Sequence, residues 1–465
     1  MVRIFNHYIP KALLLLGLIE VLALFFSLQL GVELRFGGDV ISSTHLTNIP
    51  LEYKAGVFTV VLMLMLMAMG LYQRHQRDSF RMLMLRMAWT YVLSLPLLLT
   101  VFYLFPEVYV GRGAFALTIA VSFVLLGIIR FFYQQFASAS ILSRRVLVVG
   151  SGKLAQALER LRRRSDWHGT TLIGFLHLRG DHDEVEAERL IRSEKPIAEV
   201  CADYGADEIV IAVEDNRKNF PTEEIIDCKL RGIQITELAS FFEQRTGKIH
   251  IDAWSPGRML FLDGFDNNIF RVMTKRLFDI VMASIALILA LPVMMLLVVI
   301  VRHESRWRDP SIYKQVRTGQ HGQPFTLYKF RSMVVDAEKN GAVWASKNDP
   351  RVTRVGAFMR KTRLDELPQL WNVLKGDMSF VGPRPERPEF VEQLSHKIPY
   401  YAMRHRVKPG ITGWAQVNYP YGDSEADTRE KLQYDLYYIK NYSLFLDLTI
   451  LVQTAEVVLW RKGSR

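Results

Sequence analysis

The sequence predicts a membrane protein in three parts: an N-terminal four-helix transmembrane bundle over residues 1–138, a Rossmann-like α/β domain over 139–265, and a C-terminal, mainly α-helical domain with a re-entrant membrane helix over 266–465. Three observations predict it. Four apolar stretches of near-spanning length open the chain, and a β-branched run ending in glycine follows at residues 145–150. A further long apolar segment, Leu277 to Val301, contains Pro292 and is basic on both sides. Composition agrees: half of the 465 residues are hydrophobic and 23% are charged, with a mean hydropathy of +0.10. That is too apolar for an ordinary soluble enzyme, too charged for a chain made only of spans, and too hydrophobic for disorder. Cys201 and Cys228 allow one bridge at most and lack the paired spacing of a zinc site, so a disulfide framework and a Cys-rich metal centre are excluded. A reducing, cytosol-facing protein fits best.

The four opening stretches are Leu13 to Val32, Gly56 to Tyr72, Met87 to Phe105 and Ala114 to Phe132, each close to the ~20 residues that cross a bilayer. Arg3 and Lys11 precede the first as in a signal peptide, but no small-residue cleavage site follows and three comparable segments do. Arg74, Arg77, Arg81 and Arg86 lie between the second and third stretches, and Arg130, Arg144 and Arg145 mark the end of the fourth. The excess of arginine on these flanks puts both ends of the bundle in the cytoplasm.

In the middle part, Arg145-Val146-Leu147-Val148-Val149-Gly150 reads as a strand, and Ser151-Gly152-Lys153-Leu154-Ala155 opens a helix through Arg164. This is the strand, tight turn and helix start that can cradle a pyrophosphate. Glycines that merely let strand meet helix explain the same pattern, since the second strand runs into His177 with no ribose-binding acid. Asp181-His182-Asp183 has the look of a metal-binding pair, but its charged surroundings read as a solvated loop. Strand-like runs at Leu172 to Leu176 and Glu208 to Val213 complete an incomplete Rossmann-like reading.

A linker around Asp263 to Asn268 leads to Leu277 to Val301, apolar apart from Asp279 and Ser284. Lys275 and Arg276 precede the segment; Arg302, Arg306 and Arg308 follow it. Basic residues at both ends resist leaving either end outside. Pro292 removes a backbone donor, so arms of ~22 Å and ~15 Å at 1.5 Å per residue would dip into one leaflet and return. A full span is the alternative, and it would carry everything downstream to the other side. The closing stretch, Leu444 to Trp460, holds Asp447 and Glu456 and reads as an interfacial or packed amphipathic helix.

Nearly all of the net charge of +11 falls after residue 265. Such a field suits anionic lipid or phosphorylated substrates, and nothing in the chain resembles a nucleic-acid module. The polar blocks here are Lys329-Phe330-Arg331-Ser332-Met333, then the run from Arg360 to Asn372 with Asp365-Glu366 inside it, then Gly376 to Pro385. Two adjacent carboxylates near Arg360, Lys361 and Arg363 can be held ionised, available as nucleophile or magnesium ligand. Lys329, Arg331 and Arg384 are suited to clamp phosphoryl oxygens. A salt-bridged helix start accounts for the same residues without chemistry.

From Lys329 to Asn418, including Val407-Lys408-Pro409-Gly410-Ile411-Thr412-Gly413-Trp414-Ala415-Gln416, the chain resembles the bacterial sugar transferase family, the monotopic polyprenyl-phosphate phosphoglycosyl transferases. The likeness extends over roughly Thr274 to Trp460, and the spans and Rossmann-like part resemble the long exopolysaccharide-type members. Asn418-Tyr419-Pro420-Tyr421-Gly422 departs from the family's commoner Asn-Gly-Arg ending, and Arg363 replaces a frequent serine. The resemblance implies transfer of a hexose 1-phosphate from a UDP-sugar to polyprenyl (undecaprenyl) phosphate with release of UMP. Asp365 is then the nucleophile, Glu366 the ligand of a catalytic Mg2+, and Pro292 the break of the re-entrant helix. Lys329, Arg331, Arg360, Pro383, Arg384 and Pro385 become contacts to phosphate or nucleotide, and so do Arg404 and Arg406, for which lipid headgroups are the rival ligand. The expected location is the bacterial inner membrane, multi-pass, with the catalytic domain on the cytoplasmic face; membrane lipids and a second copy of the chain are the expected partners. Two rivals stand beside this. A membrane-bound NAD-dependent nucleotide-sugar dehydratase needs a Tyr-x-x-x-Lys pair, and no tyrosine here has a lysine four positions on. A non-catalytic scaffold of polysaccharide export suits residues 1–265 but leaves the Asp365 region unexplained.

Overall fold

The computed structural model describes residues 2–4, 7–9, 11–37, 49–72, 80–138, 143–159, 170–178, 181–213, 220–253, 268–335, 349–419 and 424–459. The expected linker up to residue 267, the helix from 160 to 164, and residues 420–422 lie outside them. The chain divides into two compact units, essentially Tyr8–Pro256 and Gly257–Arg465.

The first unit opens with four long apolar helices, α1 (Lys11–Phe36), α2 (Leu51–Ala68), α3 (Phe80–Leu104) and α4 (Arg112–Ser138), each long and apolar enough to cross a membrane. α1 packs along α4 and α2, and α2 packs on α3. One buried ion pair joins them. Glu20 on α1 meets Arg130 on α4 at 2.7 Å, Arg130 also donates to the carbonyl of Leu71 at 3.0 Å, and the Tyr72 hydroxyl donates to Glu20. A charge this deeply buried persists only when paired, so this network ties α1, α4 and the end of α2 together.

A five-stranded parallel sheet follows, β1 (Arg144–Val149), β2 (Thr170–Leu176), β3 (Leu190–Ile191), β4 (Glu208–Ile211) and β5 (Gln234–Glu237), in the order β3-β2-β1-β4-β5. Val146 to Val149 are fully buried because β1 is central and covered on both faces, the usual reason for an unbroken apolar strand. Helices α5 (Lys153–Glu159), α6 (Ile197–Tyr204), α7 (Thr222–Leu230) and α8 (Leu238–Thr246) surround it, and Cys201 and Cys228 sit in its core.

The second unit is built on α9 (Ile269–Glu304), which begins at an Asn268 cap and runs unbroken through Pro292. The two arms expected on either side of the proline are joined within this one helix. One face is packed: Ala283 joins Leu327, Leu370, Val373 and Met378 before Pro292, and Leu297 and Val301 join Phe330 and Met359 after it. The other face, including Leu277, Ile288, Leu289 and Leu296, is exposed. Polar contacts pin both ends. Arg276 donates to the carbonyls of Val373 and Leu374, both at 2.6 Å, and Glu304 accepts from the Val355 amide at 3.1 Å. Asp279, the one acid within the apolar run, is buried and accepts from the Ser379 hydroxyl and the Phe380 amide.

Against α9 lie an antiparallel hairpin, β6 (Ile312–Thr318) and β7 (Pro324–Phe330), then α10 (Arg354–Thr362), α11 (Gln369–Lys375), β8 (Ser379–Val381), α12 (Pro388–Lys397) and β9 (Gly410–Thr412). α13 (Trp414–Asn418), α14 (Glu425–Asn441) and α15 (Leu444–Leu459) complete it. α15 is packed, as its acid suggests: Asp447 is fully buried, accepting from Lys275 at 2.6 Å and from the Tyr438 hydroxyl at 2.8 Å.

Candidate active site

The Asp-Glu pair sits on a single 3-10 turn, Leu364–Glu366, between α10 and α11. Arg363 ends α10 in the left-handed conformation at φ 60°, a position usually held by glycine or asparagine. That turn of the chain brings both carboxylates inward, leaving Asp365 8% and Glu366 9% exposed. α11 is fastened to β7 by Asn372, which is fully buried, donates to the Thr326 carbonyl at 2.7 Å and accepts from the Tyr328 amide at 3.1 Å. The next residue on β7 is Lys329, whose Nζ lies 3.1 Å from Glu366 Oε1.

The opposite wall is the loop Pro383-Arg384-Pro385 after β8. Strands β8 and β9 pair in parallel so closely that a Cβ on Gly410 would lie 2.0 Å from the Gly382 amide nitrogen, which only glycine avoids. All three loop carbonyls are then held: Pro383 accepts from the Gly410 amide at 2.9 Å, Arg384 from Arg404 at 3.0 Å, and Pro385 from Arg317 at 3.1 Å. The loop so fixed projects Arg384, whose guanidinium reaches Glu366 Oε1 at 2.9 Å. Arg317, Lys329, Gln369, Arg384, Pro385 and Gly410 line a narrow cleft here.

The two carboxylates are treated differently. Burial would raise Glu366, but Arg384, Lys329 and Arg363 outweigh it and hold that carboxylate well below the usual range. Burial raises Asp365 above the ordinary aspartate value, opposed first by Lys329, and its Oδ1 has no hydrogen-bond partner. Lys329 is itself lowered by burial, while Glu366 raises Arg384. The site therefore holds one firmly ionised, cation-bound acid beside one acid whose oxygen is free to react.

Of the residues singled out from sequence, Asp365, Glu366, Lys329, Pro383, Arg384 and Pro385 come together. Arg331 pairs with Asp309 at 3.3 Å, and Arg360 lies half-buried on the last turn of α10. Arg404 departs from the expectation of a phosphate or headgroup contact. It is buried behind the loop and bound to Asp435 at 2.9 Å, the Tyr401 hydroxyl at 2.6 Å and the Arg384 carbonyl. It braces Arg384 from within. Arg406 is exposed, and its carbonyl accepts from Gln320. Sequence reasoning gave no role to Arg317, Gln369 or Asn372, though the last two stand in the recognised run.

The turn after β1 is also filled from within. Gly150 has φ 115° and a Cβ there would lie 2.7 Å from the Ala212 carbonyl oxygen, so strand proximity alone requires the glycine. The Ser151 amide donates to Asp181 at 3.1 Å and its hydroxyl to Asp183 at 2.6 Å, with His177 and Arg192 also on Asp183. The Asp181–Asp183 loop, expected to be solvated, thus places carboxylates on the turn that a pyrophosphate would use. Among the described residues, no group of three or more His, Cys, Asp or Glu side chains is arranged to hold a metal.

The model of a family described as bacterial sugar transferase matches residues 270–461, and that of a CoA-binding domain matches residues 67–213. The chain is 43% identical over 238 residues to a UDP-N-acetylgalactosamine-undecaprenyl-phosphate N-acetylgalactosaminephosphotransferase of Aeromonas hydrophila, covering 51% of this chain and 55% of that protein. It is 47% identical over 191 residues to a UDP-glucose:undecaprenyl-phosphate glucose-1-phosphate transferase of Klebsiella pneumoniae, covering 40% of each. A protein of the same description from Xanthomonas campestris pv. campestris is 33% identical over 349 residues, 72% of this chain and 71% of that one. The match thus spans about half the length of the first two relatives and more than two thirds of the third.

Proposed function

The chain belongs to the bacterial sugar transferase family, and from that membership we propose that it transfers a hexose 1-phosphate from a UDP-sugar to undecaprenyl (polyprenyl) phosphate, the initiating step of exopolysaccharide synthesis. The observation that carries the proposal is the buried pair in which cations converge on Glu366 and leave Asp365 Oδ1 unpartnered. Asp365 attacks the sugar-bearing phosphorus, the bond to the UMP oxygen breaks, and its electron pair leaves with UMP. The sugar phosphate remains on Asp365 as an acyl phosphate. A phosphate oxygen of the polyprenyl acceptor then attacks the same phosphorus and the Asp365 carboxylate departs. Splitting the displacement lets a water-soluble donor and a lipid acceptor use one site in turn. Lys329 and Arg384 meet the non-bridging phosphoryl oxygens.

Mg2+ takes one or two carboxylates together with substrate phosphates and water, and the donor set fits it: both hydrogen bonds to Glu366 end on Oε1, and Asp365 Oδ1 is free. Glu366 would hold the ion. When bound it offsets the negative charge of the diphosphate.

We place α1–α4 as spans of the bacterial inner membrane, the catalytic unit on the cytoplasmic face, and α9 as a re-entrant element confined to one leaflet. Arg276 and Glu304, near opposite ends of α9, both bond to the catalytic unit, and the apolar packing on either side of Pro292 is against that same unit. A spanning helix would separate its ends by ~30 Å of hydrocarbon, where a polar domain cannot follow. The exposed apolar face of α9 is then the surface for membrane lipids.

The test is full-length protein in detergent or nanodiscs, with a panel of UDP-sugars and polyprenyl phosphate, assayed for UMP. Donor alone should release up to one equivalent of UMP per site, and acceptor should restore turnover. No UMP from any donor would overturn the activity; turnover without a lipid-independent burst would overturn the covalent step.

A further inference from the structure

We propose that Gln369 is a substrate-contacting residue whose side-chain amide donates a hydrogen bond to the phosphoryl group that passes through Asp365; this rests on the phosphoryl transfer proposed above. Gln369 opens α11, four residues after Asp365 and three after Glu366. It is 4% exposed and lines the cleft with Lys329, Arg384 and Pro385, yet among the described residues its amide makes no hydrogen bond. Buried amides are nearly always bonded, and the same helix demonstrates this at Asn372, where both ends of the amide are used on the backbone of β7. An amide left open only toward a cleft points to a partner that arrives there.

The chemistry of the walls says which part of the substrate that is. Lys329 and Arg384 are suited to anionic oxygens, so a group beside them meets phosphate. A lysine or arginine at 369, four residues from Asp365 along adjoining helical turns, would add a charge on the nucleophile's side of the cleft. A carboxamide offers donors without a charge, adding a hydrogen bond to the phosphoryl oxygen while leaving Asp365 anionic.

The transferred phosphoryl is present in both half-reactions, whereas the nucleotide is present only in the first. Gln369→Leu and Gln369→Met, which keep volume and remove the amide, are therefore measured in both. For the first, the single-turnover UMP burst is followed at saturating UDP-sugar. For the second, enzyme carrying labelled sugar phosphate is freed of donor by gel filtration and mixed with polyprenyl phosphate, and labelled lipid is followed. Thermal unfolding of the full chain is recorded alongside. The expected result is a loss of tenfold or more in both rates, with half-saturation by donor changed less than threefold and the unfolding midpoint unmoved. Slowing of the first step alone would assign the contact to the nucleotide and overturn the proposal, as would rates within twofold of wild type in either variant. A rate loss that tracks a fall in the unfolding midpoint would mark a structural role and overturn it too. Absence of a burst in the wild type would instead remove the phosphoryl-transfer reading on which the proposal stands.

Discussion

Replacing Arg404 by methionine should separate stability from positioning. Arg404 is 7% exposed, and its guanidinium is bound to Asp435, Tyr401 and the Arg384 carbonyl. Methionine leaves Asp435, with a side chain only 3% exposed, as an unpaired buried carboxylate. Removing one partner of a buried pair costs about 3–5 kcal/mol. At ~2–4 °C per kcal/mol for a unit of this size, the unfolding midpoint should fall by roughly 10 °C. The deficit should depend on pH. Burial pushes Asp435 up to about 6 even with Arg404 beside it, and without Arg404 it rises further. The folded state then keeps a proton that the unfolded chain has released, so the variant's stability falls as pH rises and recovers toward pH 5. Adding Asp435→Leu should restore most of the lost stability, since an apolar pair replaces a broken ionic one. UMP-releasing activity should stay low, because the Arg384 carbonyl still lacks its donor. A midpoint within 2 or 3 °C of wild type for Arg404→Met, by scanning fluorimetry of the full chain, would refute the burial argument, to the precision of ~2–4 °C per kcal/mol. Recovery of turnover in the double variant would refute the bracing role.

Asp365→Asn should abolish both the UMP burst and any sugar-phosphate adduct seen by mass spectrometry, whereas Glu366→Gln should keep a slower burst that needs more Mg2+. Lys329→Met removes the cation that most opposes the burial of Asp365, so the acid limb of the burst rate should move to higher pH; the sign follows because the nucleophile works ionised, and an unmoved limb would contradict it. Asn372→Ala strips two backbone groups of their partners and should destabilise by about 2–4 kcal/mol, read from denaturant unfolding, with loss of activity as β7 loosens. Cysteines introduced at Arg271, in the first turn of α9, and at Arg308, just past its end, should both be labelled only from the cytoplasmic side; labelling of one from outside would establish a fifth span.

The long apolar helices and β1 were legible because each follows from a property of a single segment, hydropathy over ~20 residues or an unbroken β-branched run. The clustering of Asp365, Glu366, Lys329 and Arg384 was legible because they stand in recognisable blocks. The pairing of Arg404 was not legible, because a sequence displays its charge and hides its partner: Asp435 lies on α14 and only folding brings the two together. Arg317 carries no local signal either, since its task, holding the Pro385 carbonyl, is set by the approach of β6 to a distant loop. Pro292 was legible as a break in the hydrogen-bond ladder, yet the helix continues past it, with apolar packing holding the segment on each side of the proline. The glycine turn after β1 had two readings, and the contact with Ala212 explains the glycine without a ligand.

Adjacent carboxylates in one buried turn ordinarily compete for the same cations and share their effect. Here the competition is settled by geometry. Lys329 arrives from β7, held by Asn372, and Arg384 from a loop whose three carbonyls are each tied down, and both meet Glu366 Oε1. Glu366 thus absorbs the positive charge that would otherwise pair with Asp365. For the nucleophilic role proposed above this matters: a carboxylate paired at 2.9 Å with a guanidinium, as Glu366 is, would have to break that bond before attacking, and Asp365 Oδ1 has no such bond to break. Lys329 and Arg384 still act on Asp365 through their charge, without a bond to its Oδ1. Asn372, Arg317 and Arg404, which hold β7 and the Pro383–Pro385 loop in place, are what keep the two acids distinct.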